Sequence, residues 1–154
     1  MGRELERPVN SKSSYPNRRI EAVRSIPVSN IPDGLRYTKD HEWAKIEGPK
    51  VRVGITDHAQ TELTDVVYVE LPPVGKTVKQ GDPIGTVESV KAVSEIFAPV
   101  AGKVVEVNKS LADKPEIVNK DPYGDGWMVV LEAADPAQAK SLMDAAAYRR
   151  HIGE

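Results

Sequence analysis

Apolar residues along this chain come in short runs punctuated by Gly and Pro, the pattern of half-buried strands rather than long helices. The runs predict strands over 36–47 and 51–55, joined by a turn at Gly48-Pro49. Asp57 stands where a carboxylate can accept unpaired first-turn amides, predicting an N-cap and a short helix over 58–64. The β-branched run 65–71 predicts a further strand, stopped by Pro72-Pro73 because the second proline cannot donate to a ladder.

A loose echo follows. Gly75-Lys76-Thr77-Val78 and Gly102-Lys103-Val104-Val105 each open a short strand, and between them two apolar strands, 84–88 and 93–98, flank one tight turn. Short strands at regular spacing predict a mainly β fold, a flattened barrel-sandwich hybrid. The echo suggests two similar sheets facing each other. Past the strands, Asp135-Pro136 sets a capping residue before a proline at the first helical position. Leu142, Met143, Ala146 and Ala147 then recur at helical spacing to about Arg150, predicting a C-terminal helix that lies on the sheet as a lid.

Composition narrows the function classes. A length of 154 residues is about one domain. Residues 1–30 hold six Lys/Arg against three Asp/Glu and lack an apolar period, so they read as a flexible extension to a domain over 31–154. The rest has fifteen Lys/Arg against twenty Asp/Glu, and an acidic body without a basic stripe argues against nucleic acid. Apolar runs are too short for a membrane span. The opening 30 residues have no secretory core, Glu6 breaks a myristoylation pattern, and Glu4, Glu6 and Glu21 count against a mitochondrial transit peptide despite Arg18, Arg19 and Arg24. A cytoplasmic, monomeric protein is the expectation. Cysteine is absent, so thiol chemistry could arrive only on an attached group.

The informative segment runs over 87–99. Lys91 falls at the turn between two strands, where its amine projects clear of the core. Val90 and Ala92 flank it, Glu88 and Ser89 precede it, Glu95 follows, and Ala98-Pro99-Val100-Ala101-Gly102 closes the unit with another turn.

Glu-Ser-Val-Lys-Ala followed by Ala-Pro-Val-Ala-Gly resembles the attachment site of the H protein family of the glycine cleavage system. His41-Glu42-Trp43, Val53 through Gln60, Asp65 through Pro72, Pro115 through Asn119, Asp121-Pro122-Tyr123 and Gly126-Trp127 resemble stretches of that family in order, covering about 31–151. Thr64 departs from it, standing where the family usually has Gly, so a local change of turn geometry is expected there. The resemblance implies a non-catalytic carrier with lipoate on Lys91, and Glu88, Ser89, Val90 and Ala92 as the attachment motif. It implies as partners a lipoate ligase or lipoyltransferase, a pyridoxal-phosphate-dependent glycine decarboxylase, a tetrahydrofolate-dependent aminomethyltransferase and a flavin-dependent dihydrolipoamide dehydrogenase. It also implies a shallow cleft in which the loaded arm docks, lined by Glu42 and Glu95.

Rival readings are weaker. Biotinyl carriers have Met on both sides of the lysine, and acyltransferase lipoyl domains usually read Asp-Lys-Ala. A relative serving mainly as lipoyl donor to other enzymes stays open. His41, His58 and His151 are too scattered for a ligand motif, so no metal is expected, and His41 and His58 read as structural hydrogen bonders. Gly124-Asp125-Gly126 is a turn without a phosphate-loop frame, and Asn108-Lys109-Ser110 is a chance glycosylation match. Trp43, Phe97 and Trp127 read as packing residues.

Overall fold

Residues 29–154 are described by a computed structural model. The chain runs β1 (Arg36–Tyr37), β2 (Glu42–Glu47), β3 (Lys50–Ile55), α1 (Asp57–Leu63), β4 (Val66–Glu70), β5 (Thr77–Val78), β6 (Pro83–Ser89), β7 (Val93–Phe97) and β8 (Gly102–Val107). There follow α2 (Ser110–Asp113), α3 (Ile117–Lys120), β9 (Val129–Ala133), α4 (Ala137–Lys140) and α5 (Ala145–His151). The strands form a six-stranded sheet, β1-β2-β3-β9-β8-β5, and a three-stranded sheet, β4-β6-β7. Every pairing is antiparallel.

The β2-β3 hairpin turns as predicted: Glu47 faces Lys50, and Gly48 takes φ 67°, which an L side chain rarely adopts. Alternation then puts Val51, Val53 and Ile55 inside. They pack with Val104 and Leu131 of the large sheet and with Val66, Val69, Ile84, Val87 and Ile96 of the small one, making one core between the sheets. A second cluster lies under α5, where Tyr37 stacks on Tyr148 at 4.8 Å between ring centroids. Trp43, fully buried, crosses over its register partner Gly54, and a Cβ there would come within 2.7 Å of the indole. The indole Nε1 donates to the carbonyl of Pro122, so its one polar atom is satisfied.

Four expectations change. The strand predicted over 36–47 is broken into β1 and β2, because Thr38 Oγ1 accepts from the amides of Asp40 and Glu42 and His41 takes φ 74°. Thr56, not Asp57, caps α1. Its backbone is extended and its hydroxyl accepts from Ala59 N, while the Asp57 carboxylate accepts from Gln60 Nε2 and Asn30 N.

The two echoes do not head facing sheets. They pair with each other inside the large one, Thr77 opposite Lys103 and Val78 opposite Gly102. The C-terminal helix is two helices. Asp144 caps α5 by accepting from Ala147 N, and Met143 leaves helical geometry to exchange backbone hydrogen bonds with Tyr37. The buried face of α5 is therefore Ala145 and Tyr148, and Ala146 faces outward.

Of the extension read over 1–30, only Ser29 and Asn30 are among the described residues. Ser29 donates from its amide and hydroxyl to Glu154, and Asn30 accepts from Tyr123 Oη.

Candidate functional site

Strands β6 and β7 form a hairpin whose last register pair is Glu88 opposite Val93. The tip is Ser89-Val90-Lys91-Ala92, and Ser89 builds it. Its hydroxyl oxygen accepts from Lys91 N at 3.1 Å and from Ala92 N at 3.0 Å, and its own amide donates to Ala92 O at 2.8 Å. Val90 N donates to Asp65 O, tying the tip to the chain entering β4. Lys91 is exposed, as are the flanking Val90 (70%) and Val93 (66%), so the lysine sits on a stiff knuckle with bare apolar shoulders. Its Nζ donates to the carbonyl of Glu62 near the end of α1, at 3.1 Å.

A cleft of about 490 Å³ opens beside this tip, walled by Asp40, His41, Ala59, Glu62, Lys91 and Glu95. Glu95 is exposed on its rim. A second, more apolar cleft of about 450 Å³ lies between Tyr37, Phe97 and Met143, and Glu42 lines it. The two predicted docking carboxylates thus line different clefts, whose common wall is Asp40.

Glu42 is no solvated surface acid. It is 1% exposed, with one carboxyl oxygen accepting from Thr38 Oγ1 at 2.5 Å and the other from Phe97 N at 3.2 Å. Burial outweighs these bonds and pushes the carboxyl up to about 7.

The histidines that look scattered in the sequence are gathered by the fold. The His41 ring centroid lies 4.7 Å from that of His58 and 5.9 Å from that of His151. His41 Nδ1 is hydrogen-bonded to Tyr148 Oη at 2.8 Å, the structural role expected of it, and Tyr148 Oη also meets Thr56 Oγ1 at 2.8 Å. Burial, and then His58, lower the His41 pKa. His58 Nε2 stands 3.3 Å from Glu62 Oε2, one helical turn on. Sequence reading passed over Thr38, Asp40 and Glu62. The i, i+4 pair His58 and Glu62 on a predicted helix was the available signal for the last of these.

Elsewhere the aromatic readings stand: Trp43 is core, Phe97 is half-buried, and Trp127 is half-buried beneath the Arg52 guanidinium at 4.6 Å. Gly124 and Gly126 belong to a turn closed on Asp121. Among the described residues, no helix is long and apolar enough to cross a membrane.

A lysine held out on a pinned hairpin, on a two-sheet β scaffold beside a shallow cleft, is the layout of a carrier domain, which presents a group to other proteins and does not itself catalyse. The sequence profile described as Glycine cleavage H-protein matches residues 35–154, and the chain belongs to that family. Among curated relatives, the glycine cleavage system H protein of Anaeromyxobacter sp. (strain K) is 58% identical over 124 residues, 80% of this chain and 97% of the relative. That of Halalkalibacterium halodurans is 56% identical over 127 residues, 82% and 99% respectively. The crystal structure of a glycine cleavage system H protein from Mycobacterium marinum superposes with a TM-score of 0.74 at 41% identity, covering 80% of this chain and all of that one.

Proposed function

We propose that Lys91 carries lipoate in an amide linkage and that the chain moves the aminomethyl group of glycine between the enzymes of the glycine cleavage system. The observation that carries this reading is the Lys91 amine at the tip of a hairpin fixed by Ser89, within the sequence Glu88-Ser89-Val90-Lys91-Ala92. The residues present fit the group. Among the described residues the Lys91 side-chain amine has only a backbone carbonyl as hydrogen-bond partner, and the exposed Val90 and Val93 give a docking lipoate ligase an apolar surface. Lipoate supplies the dithiol chemistry that a chain without cysteine lacks.

This chain's own residues bind and position. Ser89 and the Val90–Asp65 bond keep the attachment point from collapsing onto the sheet. Glu95 offers a carboxylate at the cleft rim, and Glu42 offers a buried carboxyl close to its titration midpoint at neutral pH. A cationic amine reaching Glu42 favours the ionised carboxylate through a charge-assisted hydrogen bond. The partners in this reading are the pyridoxal-phosphate-dependent decarboxylase, the tetrahydrofolate-dependent aminomethyltransferase, the flavin-dependent dihydrolipoamide dehydrogenase and the lipoate-attaching enzyme. One tethered group serves three active sites at raised effective concentration.

The test is modification by a lipoate ligase followed by peptide mapping and reconstitution with the decarboxylase. Lipoate should map to Lys91, Lys91→Arg should accept none, and only the modified chain should support glycine decarboxylation. Lipoate on another lysine, or full support from Lys91→Arg, would overturn the reading.

A further inference from the structure

The chain's three histidines are the one set of strong transition-metal ligands in a protein without cysteine, and two of them converge with a carboxylate. Ligand atoms of His41, His58 and Glu62 all lie within 4.8 Å of one another. We propose that these three side chains form a binding site for a divalent cation of the zinc or cobalt type, facing the cleft beside Lys91.

Geometry supports it from two elements. His58 and Glu62 lie one turn apart on α1, with Nε2 and Oε2 already 3.3 Å apart. Ligands of one tetrahedral ion, each about 2.1 Å from it, stand roughly 3.4 Å from one another. His41 comes from the opposite side, on the turn before β2, where its backbone takes φ 74°. That conformation is unfavourable for a residue with a side chain, and it persists because Thr56 N donates to His41 O and His41 N donates to Thr38 O. Closing the trio from a spread of 4.8 Å to the roughly 3.4 Å of a tetrahedral site needs ligand atoms to move by on the order of an ångström.

The second observation is the partner behind His41. Ligating imidazoles characteristically donate their other ring N–H to a fixed acceptor, which orients the ring and sets the tautomer. Here Tyr148, fully buried, sets its hydroxyl 2.8 Å from His41 Nδ1 and 2.8 Å from Thr56 Oγ1. With Nδ1 engaged, Nε2 is the nitrogen available to an ion. Three protein ligands leave a coordination position open, and the cleft that His41 and Glu62 line also has Lys91 at its edge. A bound ion would therefore sit where a group hung on Lys91 returns to the protein surface. That consequence rests on the carrier reading; the binding does not.

The test uses the full chain with unmodified Lys91, titrated with Co²⁺ by visible absorption and with Zn²⁺ by calorimetry. One ion per chain is expected, with ligand-field bands of low coordination number. His58→Gln and Glu62→Gln, both on the surface of α1, should each weaken binding at least tenfold. His151→Gln, whose Nε2 meets Lys39 O and which lies outside the trio, should leave affinity within twofold. Zn²⁺ should shift the ¹⁵N resonance of His41 Nε2 while Nδ1 stays protonated. Absence of binding at millimolar metal, or unchanged affinity in His58→Gln and Glu62→Gln, would show a hydrogen-bonded cluster only. Equal loss in His151→Gln would also overturn the assignment.

Discussion

The amide of Phe97 donates to the carboxyl of Glu42 across 3.2 Å, joining the strand that leaves the lysine hairpin to a buried acid on the opposite sheet. The acid is held there against its preference for water, so the contact is sensitive to pH.

Folding raises the Glu42 carboxyl from its ordinary value of 4.5 to about 7. The folded protein therefore binds this proton more tightly than the unfolded chain. The contribution is fully present below about pH 4.5, falls as pH rises towards 7, and is flat beyond. Its span is on the order of 3 kcal/mol. Glu42→Gln keeps the shape without the charge, so its melting temperature should fall less than the parent's between about pH 5 and 7 and exceed it above 7. Identical pH profiles would mean that Glu42 titrates as if in water.

Ser89 holds two amides of the tip with one hydroxyl. Ser89→Ala should cost about 1 kcal/mol of stability and speed hydrogen exchange at the Lys91 and Ala92 amides. Lipoylation of Lys91 should slow several-fold under ligase-limited conditions. An unchanged exchange rate at both amides would show that the turn stands without the serine.

Thr64 is held at φ 63°, ψ −148°, a conformation open to glycine and strained for a β-branched residue. Asn119 fixes it by donating to Thr64 O while accepting from Val66 N. Thr64→Gly should relieve the strain and raise stability by about 1 kcal/mol, read as a higher denaturant midpoint at unchanged slope. A lower midpoint would show that the unfolded chain gains more from the glycine than the turn does.

A chain shortened to residues 29–154 should keep its melting temperature and its lipoylation. Starting at Ile31 instead removes the bonds from Ser29 to Glu154 and those of Asn30 to Asp57 and Tyr123. That further cut should cost roughly 1 kcal/mol, measured by thermal melting of the two shortened chains. Equal losses for both would place the stabilising contacts before Ser29.

Local signals carried most of the strands and the position of Lys91 at its hairpin, because turn chemistry and β-branched runs are written in adjacent residues. What was not legible depended on distant ones. Thr56 displaced Asp57 as the cap because the Asp57 carboxylate was drawn off to Asn30 and Gln60, and Met143 left its helix to pair with Tyr37. The histidine cluster joins positions 41, 58 and 151, which no sequence window contains together. Glu42 was found through family resemblance alone; its burial follows from packing between β2 and β7, to which a lone glutamate gives no clue.

The Phe97 contact has one more consequence. Strand β7 is an outer strand of the small sheet and leads away from the lysine hairpin. An outer strand with free amides invites another chain to add itself by main-chain pairing, and such self-association would mask the hairpin. Glu42 occupies one of those amides with a side chain that offers no ladder to extend. The same carboxyl that faces the second cleft thus takes up one main-chain donor that an added strand would need at the edge of β7.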